Sequence, residues 1–139
     1  MKHILMVDDV ATNLKLVAEV LGEHYRLSMA RSGEQALGLL KKAKPDLILL
    51  DINMPDISGY QMMERIKAKD ETKDIPVIFL TADTDRESEI KGLNMGATDF
   101  IRKPFDPKEI RSRICRALQR RENGNDLEPA AGKNALTGF

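Results

Sequence analysis

Leu47-Ile48-Leu49-Leu50-Asp51 is an apolar run without a polar interruption, closed by a carboxylate. A strand with one wet face alternates apolar and polar residues, whereas a strand covered on both faces has no reason to. The same form occurs twice more, as Ile4-Leu5-Met6-Val7 before Asp8-Asp9 and as Val77-Ile78-Phe79-Leu80 before Thr81. Between these runs the period changes to that of a helix. Leu14, Val17, Ala18 and Leu21 fall at i, i+3, i+4 and i+7, with Gly22 as a stop, and Ala36, Leu37 and Leu40 follow Ser32-Gly33 in the same way. Weaker strands are expected over 25–29 and 98–101, and further helices over 59–68, 86–94 and 107–121, the last with Ile110, Ile114, Ala117 and Leu118 on one face. Five strands alternating with five helices read as an α/β doubly wound parallel sheet, because each parallel crossover needs a covering helix.

The chain has 139 residues, enough for one ordinary domain. Its 22 basic and 22 acidic residues give no global attraction to nucleic acid or anionic lipid. Cys115 stands alone, so it forms no internal disulfide and falls short of a cysteine zinc site. The opening apolar run reaches Asp8 too soon for a signal-peptide core or a membrane span, and a reducing cytoplasm is the expected compartment. After Arg121 the composition turns to that of linkers, so the expected division is a domain over 1–121 and a flexible tail or linker over 122–139.

In doubly wound sheets ligands bind beyond the carboxyl ends of the strands. The residues there are Asp8, Asp9, Asp51, Thr81 and Lys103. Taken singly, each has a plain structural use: Asp and Thr cap helices or close turns, and Lys is solvated. Three convergent carboxylates repel one another unless a cation neutralises them, and an all-oxygen cluster suits a hard ion such as Mg²⁺. With a hydroxyl and an ammonium added, the parts suit phosphoryl transfer onto Asp51.

At this point the chain resembles the receiver domain of two-component response regulators, over residues 1–121. The resemblance is carried by Ile4-Leu5-Met6-Val7-Asp8-Asp9, by Leu49-Leu50-Asp51-Ile52-Asn53-Met54-Pro55, by Leu80-Thr81-Ala82, and by Gly96-Ala97-Thr98-Asp99-Phe100-Ile101-Arg102-Lys103-Pro104-Phe105. It implies a flavodoxin-like sheet of order 2-1-3-4-5 and a phosphoryl group accepted on Asp51 from a sensor histidine kinase or phosphotransfer protein. By the same resemblance Asp8, Asp9, Asp51 and the Asn53 backbone carbonyl hold Mg²⁺, and Thr81 and Lys103 bind the phosphoryl oxygens. Thr81 and Phe100 match the switch positions, and the side chains of Asn53 and Asp83 fall where they would tune hydrolysis. Such a chain is a self-phosphorylating phosphoacceptor with modest autodephosphorylation, not an enzyme acting on other substrates. Where the family often has Asp-Gly, this chain has Ser58-Gly59.

Residues 107–121 carry six basic residues against one acid. They flank an apolar stripe and suit a helix C-terminus, so pairing with acids of a second copy or a partner is expected and direct nucleic-acid or membrane binding is not. The output is expected at the face of the fourth helix and fifth strand, with a possible homodimer through the fourth and fifth helices and a downstream effector protein or domain as partner. The last residues, Ala135-Leu136-Thr137-Gly138-Phe139, faintly resemble the opening of diguanylate cyclase domains, so a receiver fragment of a longer regulator competes with a stand-alone receiver. A phosphate-independent interaction domain is a further alternative. A small-molecule aspartyl-phosphate phosphatase is disfavoured, because Asn53 stands where its second acid would be. Nucleotide binding of the Rossmann kind lacks its glycine-rich loop.

Overall fold

A computed structural model of the chain describes residues 1–82 and 86–122. The elements in chain order are β1 (His3–Val7), α1 (Ala11–Leu21), β2 (Arg26–Ala30), α2 (Gly33–Lys42), β3 (Leu47–Asp51), α3 (Gly59–Ala68), β4 (Val77–Thr81), α4 (Arg86–Asn94), β5 (Asp99–Arg102) and α5 (Pro107–Glu122). All pairings are parallel, in the order β2-β1-β3-β4-β5. Of the tail expected over 122–139, Glu122 ends α5 and residues 123–139 lie outside the described residues.

The uninterrupted apolar runs are the three central strands, and β1, β3 and β4 are buried along their whole length. Alternate residues of each strand feed opposite cores. Ile4, Met6, Leu47 and Leu49 pack with Leu14, Val17, Ile110 and Ile114 of α1 and α5. Leu5, Val7, Ile48 and Leu50 pack with Ala36, Met62, Met63 and Ile66 of α2 and α3. The edge strands begin one residue later than expected, at Arg26 and Asp99. Their sequences carry less contrast because both are only partly buried.

Helix ends are set locally. Ser32 accepts from the Gln35 N–H to cap α2, and Ser58 with Gln61 forms a reciprocal capping box on α3. The Ser58 departure from the family pattern therefore serves the helix start. Gly59 has a different reason: its N–H donates to the Ile52 carbonyl at 2.8 Å. A Cβ there would lie 2.4 Å from the Asp51 carbonyl oxygen, so the close approach of α3 to the end of β3 requires glycine.

Candidate functional site

The three carboxylates meet. One oxygen from each of Asp8, Asp9 and Asp51 lies within 4.8 Å of the others. Parallel pairing causes this, since Val7 at the end of β1 lies opposite Leu50, one residue before β3 ends at Asp51. Asp8 and Asp51 are buried, 0% and 2% exposed, and Asp9 is half-buried.

Helix capping does not account for the pair after β1. The N-cap of α1 is Val10, with no side-chain cap bond. Instead Asp8 Oδ1 accepts from the Val10 N–H at 2.9 Å and Asp8 Oδ2 from Asn13 Nδ2 at 3.1 Å. Nor does Thr81 cap α4, which starts at Arg86; Thr81 ends β4 and is 3% exposed.

Lys103 crosses from beyond β5 into the cluster. Its Nζ lies 3.2 Å from Asp51 Oδ1 and 3.3 Å from Asp8 Oδ2. Its backbone N–H donates to the Thr81 carbonyl at 2.8 Å, which continues the β4–β5 ladder past its last pair and fixes where the side chain starts. One ammonium faces three carboxylates, so charge stays unbalanced. Burial first, and the neighbouring Asp8 second, push the Asp51 carboxyl up to about 6, with Lys103 and the Asn53 N–H acting in the opposite direction. A buried oxygen set short of positive charge fits a hard divalent cation such as Mg²⁺, with Asp8, Asp9 and Asp51 as the available carboxylates.

Asn53 follows two residues after Asp51 with its side chain exposed, and its N–H reaches Asp51 Oδ1 at 3.4 Å. Asp83 lies outside the described residues. Phe100 is 6% exposed, with its ring centroid 5.5 Å from that of Phe79. The Gly92 backbone of α4 closes over both rings, and a Cβ there would lie 2.5 Å from Phe100 Cζ.

Two contributors were not singled out in the sequence. Asn13 holds Asp8 from the first turn of α1, and Arg31 Nη2 reaches the Asp9 carbonyl at 3.4 Å from beyond β2. Neither lies in an apolar run or at helical spacing from the acid that it touches; only their position at the carboxyl edge of the sheet marks them. Of the basic residues in α5, Arg113 finds its acids within the chain, at Asp99 and Glu109.

Comparison with known proteins agrees with this arrangement. Residues 4–115 match the family described as response regulator receiver domain. The chain is 40% identical over 129 residues to the phosphate regulon transcriptional regulatory protein PhoB of Pseudomonas aeruginosa, covering 92% of this chain and 56% of that one. It is 39% identical over 119 residues to the response regulator PleD of Caulobacter vibrioides, covering 85% and 26% respectively. The chain thus spans between about a quarter and just over half of the curated relatives it matches. The receiver domain of the sensor histidine kinase PA1611 from Pseudomonas aeruginosa, a structure with a magnesium ion in its active-site cleft, superimposes with a TM-score of 0.78 at 28% identity, covering 85% of this chain and 98% of that one. The match over residues 4–115, on a five-stranded sheet of order 2-1-3-4-5, makes the chain a member of the response regulator receiver domain family.

Proposed function

We propose that Asp51 accepts a phosphoryl group from a phosphohistidine of a sensor histidine kinase or phosphotransfer protein. A carboxylate oxygen of Asp51 forms the new P–O bond as the P–N bond of the donor breaks, and the electron pair returns to the imidazole nitrogen. The observation that carries this reading is the contact of the Lys103 ammonium with both Asp51 and Asp8 inside a buried three-carboxylate cluster. Lys103 is placed to neutralise phosphoryl oxygens, and the Thr81 hydroxyl, at the end of the adjacent strand, is the hydrogen-bond donor on their other side. Asp8, Asp9, Asp51 and the Asn53 carbonyl would hold Mg²⁺, which supplies positive charge against the equatorial oxygens during transfer. Asn13 and the Val10 N–H keep Asp8 oriented for that purpose.

The side chains of Asn53 and Asp83 would govern how readily water reaches the aspartyl phosphate. Phe100, packed on Phe79 and under Gly92, is the contact through which a displaced Thr81 would reach α4. The output face is then α4, β5 and α5, read by an effector domain or protein or by a second copy. The protein transfers phosphate only to itself, and the cytoplasm of the donor kinase is its compartment. Among the described residues no helix is long and apolar enough to cross a membrane.

The test is intact-protein mass after incubation with acetyl phosphate, with and without Mg²⁺, for the native chain and Asp51→Asn. A metal-dependent gain of one phosphoryl group, absent in the variant, is expected. A folded, Mg²⁺-binding protein that gains nothing from acetyl phosphate or from a phosphorylated histidine kinase would overturn the reading in favour of a phosphate-independent interaction domain.

A further inference from the structure

At the opposite end of the sheet, between the starts of β4 and β5 and the last turn of α5, lies a cavity of about 390 Å³. This is within the lower part of the range, roughly 300–1,000 Å³, in which small-molecule sites fall. Ile75 and Ala117, both buried, form its apolar wall. Lys67, Arg120 and Arg121 line it against a single acid, Asp74.

These three cations are short of anions. Lys67 Nζ donates to the Lys73 carbonyl and Arg121 Nη1 to the Asp46 carbonyl, each at 2.8 Å. Carbonyl oxygens orient the two groups without cancelling their charge. Among the described residues none of the three forms an ion pair, whereas the half-buried Lys103 and Arg113 each contact two carboxylates. Burial pushes the Lys67 ammonium below its ordinary range, and the charge of Asp74 only partly offsets this. Cations at the ends of α3 and α5 complement the helix dipoles, which accounts for their presence. It does not account for their convergence on one concavity, nor for the burial of Lys67.

We infer that this cavity is a binding site for a small oxyanion on an apolar body, held by Lys67, Arg120 and Arg121 with its body against Ile75 and Ala117. An arginine fork suits the two oxygens of a phosphate, phosphonate or carboxylate, and the lysine adds a point charge. The inference does not depend on phosphoryl transfer to Asp51, since the cavity shares no residue with the acidic cluster.

The probe is phenylphosphonate, which has no transferable phosphoryl group, titrated into the full ¹⁵N-labelled chain in Mg²⁺-free buffer, with benzoate and inorganic phosphate as parallel arms. Saturable shifts confined to the amides of Lys67, Ile75, Thr98, Ala117 and Arg120 are expected, with Kd below about 1 mM. A stronger response to phenylphosphonate than to benzoate assigns a phosphate-bearing ligand, and the reverse a carboxylate. Arg120→Gln, at an exposed residue whose side chain makes no hydrogen bond or ion pair among the described residues, should weaken binding about tenfold, and Lys67→Gln with Arg120→Gln should abolish it. A second basic cavity, lined by Lys41, Arg65 and Lys69 between α2 and α3, is the control. Shifts that grow without saturating, that spread equally to that cavity, or that persist in the double variant would overturn the inference.

Discussion

Helices α3 and α4 pack on the same face of the sheet but are held by different forces. The first turns Met62, Met63 and Ile66 into the core, each at most 1% exposed, and starts with a capping box. The second buries only Gly92, while Ile90 and Leu93 stand 49% and 44% exposed. Its ties to other described residues include polar ones: Tyr60 donates to the Ser88 carbonyl at 3.2 Å, Lys91 lies 4.3 Å over the Tyr60 ring, and Arg102 pairs with Glu89 at 2.7 Å. Burial of a large apolar side chain contributes about 1.5–3 kcal/mol, and an exposed ion pair about 0–1 kcal/mol. A helix fastened by its core is scaffold; one fastened by its edge can change position at small cost.

The sharpest way to break this contrast is a pair of truncations. Met62→Ala should lower unfolding stability in urea by about 2–5 kcal/mol, and Leu93→Ala by no more than about 0.5 kcal/mol. Equal losses would show that α4 is anchored as firmly as α3. Next comes Gly92→Ala, whose added carbon meets the rings of Phe100 and Phe79. A cost of about 1–3 kcal/mol is expected although alanine is the better helix former, with amide shifts confined to α4 and the two rings. Unchanged or increased stability would mean that the rings yield freely and that α4 does not rest on them.

Ser58→Ala, which removes the cap from α3, should cost about 1 kcal/mol by the same denaturation measurement. Its effect should stay in α3, so a change in the amide spectrum of α4 would blur the distinction. The smallest effect belongs to Tyr60→Phe. Loss of one partly exposed hydrogen bond should change global stability by no more than about 1 kcal/mol, yet speed amide exchange in α4 while leaving α3 as it was. Exchange that quickens equally in both helices would make them one unit.

Much of this was legible in the chain. Apolar runs closed by Asp8, Asp51 and Thr81 identified the strands that converge, because a buried parallel strand must shed polar residues until it reaches its end. Sheet order came only through the family resemblance, since local periodicity says nothing about neighbours. The edge strands were misplaced by one residue because half-exposed positions give a weak pattern. Asn13 escaped notice because an Asn in the first turn of a helix has no period linking it to Asp8. The cavity lined by Lys67, Asp74 and Arg120 could not be read at all, as its residues come together only through the packing of α3, β4 and α5.

Asp56, in the loop after β3, ties that loop to another part of the chain. Its carboxylate accepts from the Gly33 and Glu34 N–H groups at 3.2 and 3.1 Å, so the loop that leaves Asp51 also supplies acceptors to the first turn of α2. Burial pushes the Asp56 carboxyl up, but the backbone N–H groups of Glu34, Ile57 and Gly33 together outweigh it and hold the group below its ordinary value of 3.8. The contribution of this clasp is therefore fully present above about pH 4 and fades as acid titrates the carboxylate through its lower folded value. Solvent screening keeps it modest. Acidification should accordingly release the start of α2 from the loop behind Asp51 while the apolar layers remain packed, and the Gly33 and Glu34 amides would report that parting first.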